Sequence, residues 1–406
     1  MSFQQGLSGL NAAAKQLDVI GHNVANANTA GFKGSIAQFG DVFANAVAGA
    51  SGSQIGIGTS LTAVLPVFGQ GNITVSVNPL DMAINGQGFF RVSTGGTISY
   101  TRNGQFSLDR EGYLVTPAGG RLTGYPADAS GTIVASTPTE LRISTAALAP
   151  AATTEARIEL NLDSRATPIA AAFDPDDTST YHSATSIAVY DSLGNAHALT
   201  AYFVKTAPNN WDVYAALNGT PVGAAAIGTL AFAPDGSIDT GATSLPFALA
   251  APITTGALSP LAFGLDFSGS TQFGSPFGVS ALTQDGYPAG KLTGYAISSD
   301  GVILGRYSNG QTRAQGQIVL ANFANPQGLQ PMGNNQWGET SASGQPVVGT
   351  PNSGNLGVVQ SGALEESTVD ITEELVKMIT AQRIYQANAQ TIKTQDAVLQ
   401  TMVNLR

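Results

Sequence analysis

The sequence predicts a mainly β fold with α-helical termini: two antiparallel β domains, one inner and discontinuous, the other outer and inserted, joined to a coiled-coil domain built from the two chain ends. Three observations carry this. The chain has 48 glycines and 20 prolines in 406 residues, yet none lies between Ala363 and Arg406, whereas they recur every few residues from Gly31 to Gly362. Apolar residues repeat at heptad-like spacing at both ends and alternate with polar ones between them. Charge is unevenly placed: residues 146–284 hold three basic and eleven acidic side chains, eight of the ten net negative charges, while 31–145 and 285–360 each balance to zero.

The amino-terminal element, 1–30, carries Phe3, Leu7, Leu10, Ala14, Leu17, Gly21 and Val24 on one stripe, with Ser2 and Gln5 spaced as a capping box. Lys15 and Asp18 are the formal charges of its thirty residues, so its solvated face is weak and it is expected to be covered on several sides. Such a helix can instead pack wholly on the β body. Its place at a chain end, where fraying is the default, favours helix against helix. The segment 31–70 follows as a linker.

The inner domain is expected over 71–145 and 285–361. Arg121-Leu122-Thr123-Gly124-Tyr125 recurs as Lys291-Leu292-Thr293-Gly294-Tyr295, with a Gly and an Ile at matched offsets (Gly131 and Ile133, Gly301 and Ile303), as two pieces of one domain would show. Hairpin turns are signalled at Asn103-Gly104, Asp300-Gly301 and Asn309-Gly310. The acidic segment 146–284 reads as the inserted outer domain. Ile158, Leu160 and Leu162 alternate there with polar residues, as do Leu261, Phe263, Leu265 and Phe267, with a further turn at Asp235-Gly236.

The carboxyl-terminal element, 362–406, places Ile371, Leu375, Met378, Tyr385, Ala389, Ile392, Leu399 and Val403 in a seam interrupted at Gln382 and Asp396, and Asp370 with Glu373 forms a second capping box. Either end alone buries little, so both are expected to order on assembly.

Chemistry is not signalled. A net charge of −10 and no basic stripe exclude nucleic acid as the expected ligand. The absence of cysteine removes thiolate nucleophiles, thiol metal ligands and disulfides. No serine sits in a nucleophile elbow. The histidines, His22, His182 and His197, are too few and too scattered for a zinc site. Gly286 to Lys291 is one residue short of a phosphate loop, and Asp174, Asp176 and Asp177 lack the glycine and distal glutamate of a calcium loop. No enzyme, no cofactor and no metal are expected. The amino terminus does not read as a cleavable signal peptide, and no apolar run is long enough to insert in a membrane.

Several stretches resemble one family. Gly21-His-Asn-Val-Ala-Asn-Ala-Asn-Thr-Ala-Gly-Phe-Lys33 is similar to the signature shared by bacterial flagellar rod, hook and hook-associated proteins, on Asn23, Ala25, Asn26, Thr29, Gly31, Phe32 and Lys33. His22 stands where that family commonly has Asn. Val369-Asp370, Glu373-Glu374-Leu375 and Ala381-Gln-Arg-Ile-Tyr-Gln-Ala-Asn388 resemble its carboxyl-terminal helix; Asn78 to Phe90 and Tyr100 to Ser107 resemble its β body. Ser270 to Phe277, Gln284 to Tyr287, Gly316 to Pro326 and Ser343 to Pro346 resemble its hook members in particular, a reading that the length supports. The resemblance implies a structural subunit of a curved, flexible tube that passes motor torque to the filament as a universal joint. It further implies an extracellular place on the flagellum, reached through the flagellar type III export apparatus without a cleavable signal peptide. Implied partners are copies of itself in a helical homopolymer, the distal rod protein, the hook cap protein and the hook-filament junction protein. A distal rod subunit and a monomeric β-rich adhesin are the alternative readings.

Overall fold

A computed structural model of the chain describes residues 2–42 and 56–404. Residues 43–55 of the expected linker lie outside the described residues, as do Met1 and 405–406. Helices occupy the two ends, α1 (Ser2–Ala25) and α2 (Ile371–Asn404), and strands fill the chain between them. α2 starts where the capping signal lies: Asp370 Oδ1 accepts from the amides of Thr372 (2.7 Å) and Glu373 (3.3 Å), satisfying donors that a first turn leaves open. The reciprocal halves of both boxes are used differently. Glu373 pairs with Lys377 at 2.9 Å, and Gln5 donates to the Gly56 carbonyl at 2.6 Å.

The chain divides into two compact units, 1–144 with 294–306 and 312–406, and 145–293 with 307–311. In the first, a thirteen-stranded sheet runs in the order Leu292–Ile297, Val302–Tyr307, Thr312–Ile318, Arg121–Pro126, Phe89–Thr94, Thr97–Thr101, Gln336–Gly338, Gln330–Gly333, with shorter strands off this path. Thr312–Ile318 hydrogen-bonds antiparallel to Arg121–Pro126, so two stretches nearly 200 residues apart in sequence share one ladder. The two repeat copies are strands of this sheet, and each is followed by a turn with its glycine at positive φ, Gly131 at 85° and Gly301 at 75°. One core cluster of this unit gathers Phe89, Tyr100, Ala321, Phe323, Leu329 and Trp337, with Phe68 edge-on to Trp337.

The hairpin signals are met at Asp300-Gly301 and Asn309-Gly310, where the glycine amides close onto Ser298 and Tyr307, and at Asp235-Gly236. At Asn103-Gly104 there is no hairpin. Gly104 is needed for a different reason: its carbonyl accepts from Met82 N, and a Cβ there would overlap the Met82 backbone.

The second unit is a sandwich of two five-stranded sheets. Glu155–Asp163 is central to one, Ala196–Ala207 and Asn210–Leu217 to the other, and the alternating residues of both meet in one core that includes Ile158, Leu160, Leu162, Phe203, Trp211, Val213, Phe263, Leu265 and Phe267. The antiparallel expectation has an exception here. Glu155–Asp163 pairs parallel with Leu261–Asp266 and Thr271–Phe273, while its other edge takes Gly278–Gln284 antiparallel. Alternation reports which face is buried and is blind to strand direction.

Asp191 is the buried carboxylate of this unit. It accepts from the amides of Leu193 and Asn195 and the side chains of Asn195, His197 and Thr255, the last at 2.7 Å. Burial alone would raise its pKa, but these donors outweigh it and hold the carboxyl well below the ordinary 3.8. A carboxylate depressed in the folded state contributes stability above its unfolded pKa that is lost as pH falls toward the folded one. The unit is therefore expected to lose stability steadily below about pH 4, and Asp191→Asn to flatten that acid limb while costing about 1.5–3 kcal/mol at neutral pH. Melting curves followed on buried Trp211 from pH 7 to pH 2.5 check both.

Candidate functional site

α1 and α2 run antiparallel against each other. Asn23 Nδ2 donates to Glu374 Oε2 at 3.3 Å near one end, and Gly9 abuts Asn388 near the other, fourteen residues on along each helix. A Cβ at Gly9 would lie 2.7 Å from the Asn388 side chain, so the glycine permits the close approach. The positions buried on α1 are Gly6, Ala13 and Ile20, seven apart, with Asn23 beyond them; on α2 they are Glu374 and Ala381, followed at the same interval by half-buried Asn388 and Gln395. The closest approaches set small residues of α1 against larger ones of α2, Gly6 against Ile392 and Gly9 against Asn388.

That seam is offset from the expected one. Phe3 (46% exposed), Leu7, Ile371, Leu375, Tyr385 and Leu399 (47%) are exposed in the single chain. Leu10, Leu17, Val24, Met378 and Ile392 are half-buried, and the side chain of Val403 lies outside the described residues. Val376 (61%), Ile379, Ile384 and Val398 extend the exposed apolar surface of α2. Heptad counting favoured large apolar residues, whereas two helices that approach closely need small ones.

The expected linker holds a hairpin that sequence reading missed: β1 (Ser35–Val42) pairs antiparallel with β2 (Gly58–Pro66). It lies along α1. Asn23 exchanges two 2.9 Å bonds with the backbone of Ser35 at one end, and Ser8 Oγ accepts from Thr59 N at the other. Ile36, Phe39, Leu61 and Val64 remain exposed on it. A β-bulge between Gln38 and Phe39 breaks the period of two, which hid the strand.

The signature residues build the junction beneath the helices. Asn26 Nδ2 caps α1 on the His22 carbonyl, and its Oδ1 accepts from Thr29; Ala25 is the last, exposed helical residue. Gly31 (φ 68°) donates its amide to the Glu365 carbonyl, and a Cβ there would sit 2.6 Å from the Arg102 and Asn103 backbone. Phe32 is buried beside the His22 ring, and its carbonyl accepts from Thr368 N.

Lys33 belongs to a buried ion cluster. Its Nζ donates to Glu365 Oε1 at 2.6 Å and to the Gly69 carbonyl at 2.5 Å. Glu365 Oε2 takes Arg102 Nη1 at 3.2 Å, and its Oε1 also accepts from Gly71 N. Arg102 reaches the Gly86 carbonyl at 2.7 Å, and its guanidinium lies 5.5 Å from the Phe89 ring centre. Burial pushes Lys33 below its ordinary 10.5, opposed by the Glu365 charge, and lowers Arg102 in the same way. One carboxylate thereby joins the signature loop, the β body and the strand Ala363–Glu365 that leads into α2. Among the described residues no group of three His, Cys, Asp or Glu is placed to hold a metal, and no helix is long and apolar enough to cross a membrane.

Comparisons with known proteins cover the whole chain. Residues 3–33 match the family profile described as flagella basal body rod protein, 83–163 the flagellar hook protein FlgE/F/G D1 domain, 161–287 the flagellar basal body protein FlaE D2 domain, and 360–405 the flagellar basal body rod FlgEFG protein C-terminal. The flagellar hook protein FlgE of Escherichia coli K12 is 44% identical over 415 residues, covering 100% of both chains, and that of Borreliella burgdorferi 33% over 441, covering 100% of this chain and 99% of that one. Among solved structures, flagellar hook protein FlgE2 of Helicobacter pylori is similar in fold, with a TM-score of 0.53, 15% identity, and coverage of 72% of this chain and 100% of that one.

Proposed function

Because the chain belongs to the flagellar hook protein family and is a structural subunit of the hook, we propose that it polymerises through the apolar faces its terminal helices leave uncovered. The observation that carries this is the exposure of α2, whose Leu375, Val376, Ile379, Ile384, Val398 and Leu399 stay about half exposed among the described residues. In this reading 1–30 and 362–406 make the inner tube. The discontinuous 71–145 and 285–361, and the inserted 146–284, make the outer layers, and the balanced, sparse charge of 71–145 and 285–361 lets neighbours slide as a curved tube turns and passes torque on. The distal rod, the hook cap, the hook-filament junction proteins and the type III export apparatus are the partners this assignment calls for, at an extracellular site. The rod-subunit and adhesin readings are not favoured, since the relatives matched from end to end are hook proteins.

Sedimentation velocity of the purified chain over a hundredfold concentration range, with electron micrographs of the fast fraction, tests the proposal. Hollow tubes above a threshold concentration are expected. A single small species throughout would end it.

A further inference from the structure

We infer a specific knob-and-groove contact between copies of this chain, formed by Val75 and Val77 of one copy and a groove beside α1 of the next; the inference rests on the polymer reading above. Val75 is 88% and Val77 105% exposed, an unusual state for two valines, the first at the end of the strand Ile73–Val75 and the second in the bend that follows it. The segment is held in shape. Ser76 donates its amide to the Gly362 carbonyl and its hydroxyl to Asp81 Oδ2 (2.5 Å), Asn78 Nδ2 reaches Asp81 Oδ1 and the Phe106 carbonyl, and Leu80 N donates back to Asn78 Oδ1. A polar network that fixes a loop so that two valines face water raises the question of what covers them.

The same unit offers a groove of about 970 Å³ whose apolar lining includes Val19, Phe32, Val64, Pro117, Leu329 and Trp337. Its charged lining residues are Asp18 and Lys33, and Lys33 is turned inward to Glu365. Residues 70–79, which carry the valines, contain no charged side chain, so knob and groove match in polarity as well as in form. A second copy is the occupant because a helical homopolymer is built from heterologous contacts, which require two complementary patches at different places on one surface. The groove is also walled by α1, so a copy seated there continues the helix interface proposed above.

The absence of native cysteine makes the test direct. Val77→Cys is combined in turn with Ala118→Cys, Gln327→Cys and Asn334→Cys around the groove, the chains are assembled, oxidised and run without reductant. A ladder of covalently joined subunits from at least one pair, and none from single-cysteine chains, is expected, since a disulfide needs Cα atoms within about 7 Å. Normal tubes with no ladder from any pair would overturn the contact and leave the polymer reading standing; failure of the unsubstituted chain to assemble would instead sink the polymer reading. As an independent measure, Val75→Asp/Val77→Asp is expected to raise the threshold concentration for assembly at least about tenfold with the monomer melting unchanged, because a carboxylate would be buried unpaired. An unchanged threshold counts against the contact as decisively as a missing ladder.

Discussion

A chain ending at Asp370 is expected to fold its β body and to form no tubes. This truncation removes α2 but keeps the strand Ala363–Glu365 and so the whole ion cluster with Lys33 and Arg102. What the body loses is one 3.3 Å bond from Asn23 and the α2 side chains that abut Gly6 and Gly9. What the assembly loses is much larger. Leu375, Val376, Ile379, Ile384, Val398 and Leu399 are each about half exposed, so covering what remains contributes about half of the 1.5–3 kcal/mol of a full burial, roughly 0.8–1.5 kcal/mol apiece. Even after the entropy of association and side-chain ordering is subtracted, losing several such residues raises the threshold concentration by more than about a thousandfold, the equivalent of about 4 kcal/mol. Sedimentation should find monomer at every attainable concentration, with the Trp337 transition shifted by a few degrees and helix lost by circular dichroism. Tubes of normal appearance from the shortened chain would show that the contacts lie elsewhere.

The division between helical ends and β body was legible because it depends on local facts: the absence of glycine and proline after Gly362, the cap at Asp370, and alternation such as Ile158-Leu160-Leu162. The candidate seam was legible only in part. Phe3, Leu7, Leu375 and Leu399 stand out in the sequence because they are large and periodic, and they stay exposed; Gly6, Ala13, Ala381 and Asn388 do the pairing and carry almost no signal, since a small residue is as common on a surface as at a close contact. The hairpin was hidden by its bulge at Gln38. The ion cluster was beyond reach altogether. Lys33, Arg102 and Glu365 are far apart in sequence, and nothing local distinguishes a buried Glu365 from the neighbouring, exposed Glu366.

That cluster supports the other large expected effect. Glu365→Ala leaves two cations buried without their shared counter-ion, in a site where the Arg102 Nε already has no hydrogen-bond partner among the described residues. Breaking a buried pair from one side costs about 3–5 kcal/mol, because the remaining charge cannot return to water without unfolding. Two are stranded here, and the Gly71 amide loses its acceptor as well. For a unit of this size the cost corresponds to a fall in melting temperature of roughly 6–20 °C. Glu365→Gln keeps an acceptor for Gly71 and a partner for one cation, so a smaller fall is expected. The two tryptophans give each unit its own reporter: Trp337 packs with Phe68 and Phe89 in the first, and Trp211 donates to Gln272 in the core of the second. With Trp211→Phe or Trp337→Phe used to isolate each signal, the Trp337 transition should fall and the Trp211 transition hold. If Glu365→Ala melts within about 1 °C of the unsubstituted chain on the Trp337 signal, the cluster is not what ties the signature loop and the strand before α2 to the β body, and the anchoring of the helices must be sought in the Asn23–Ser35 and Thr368 contacts instead.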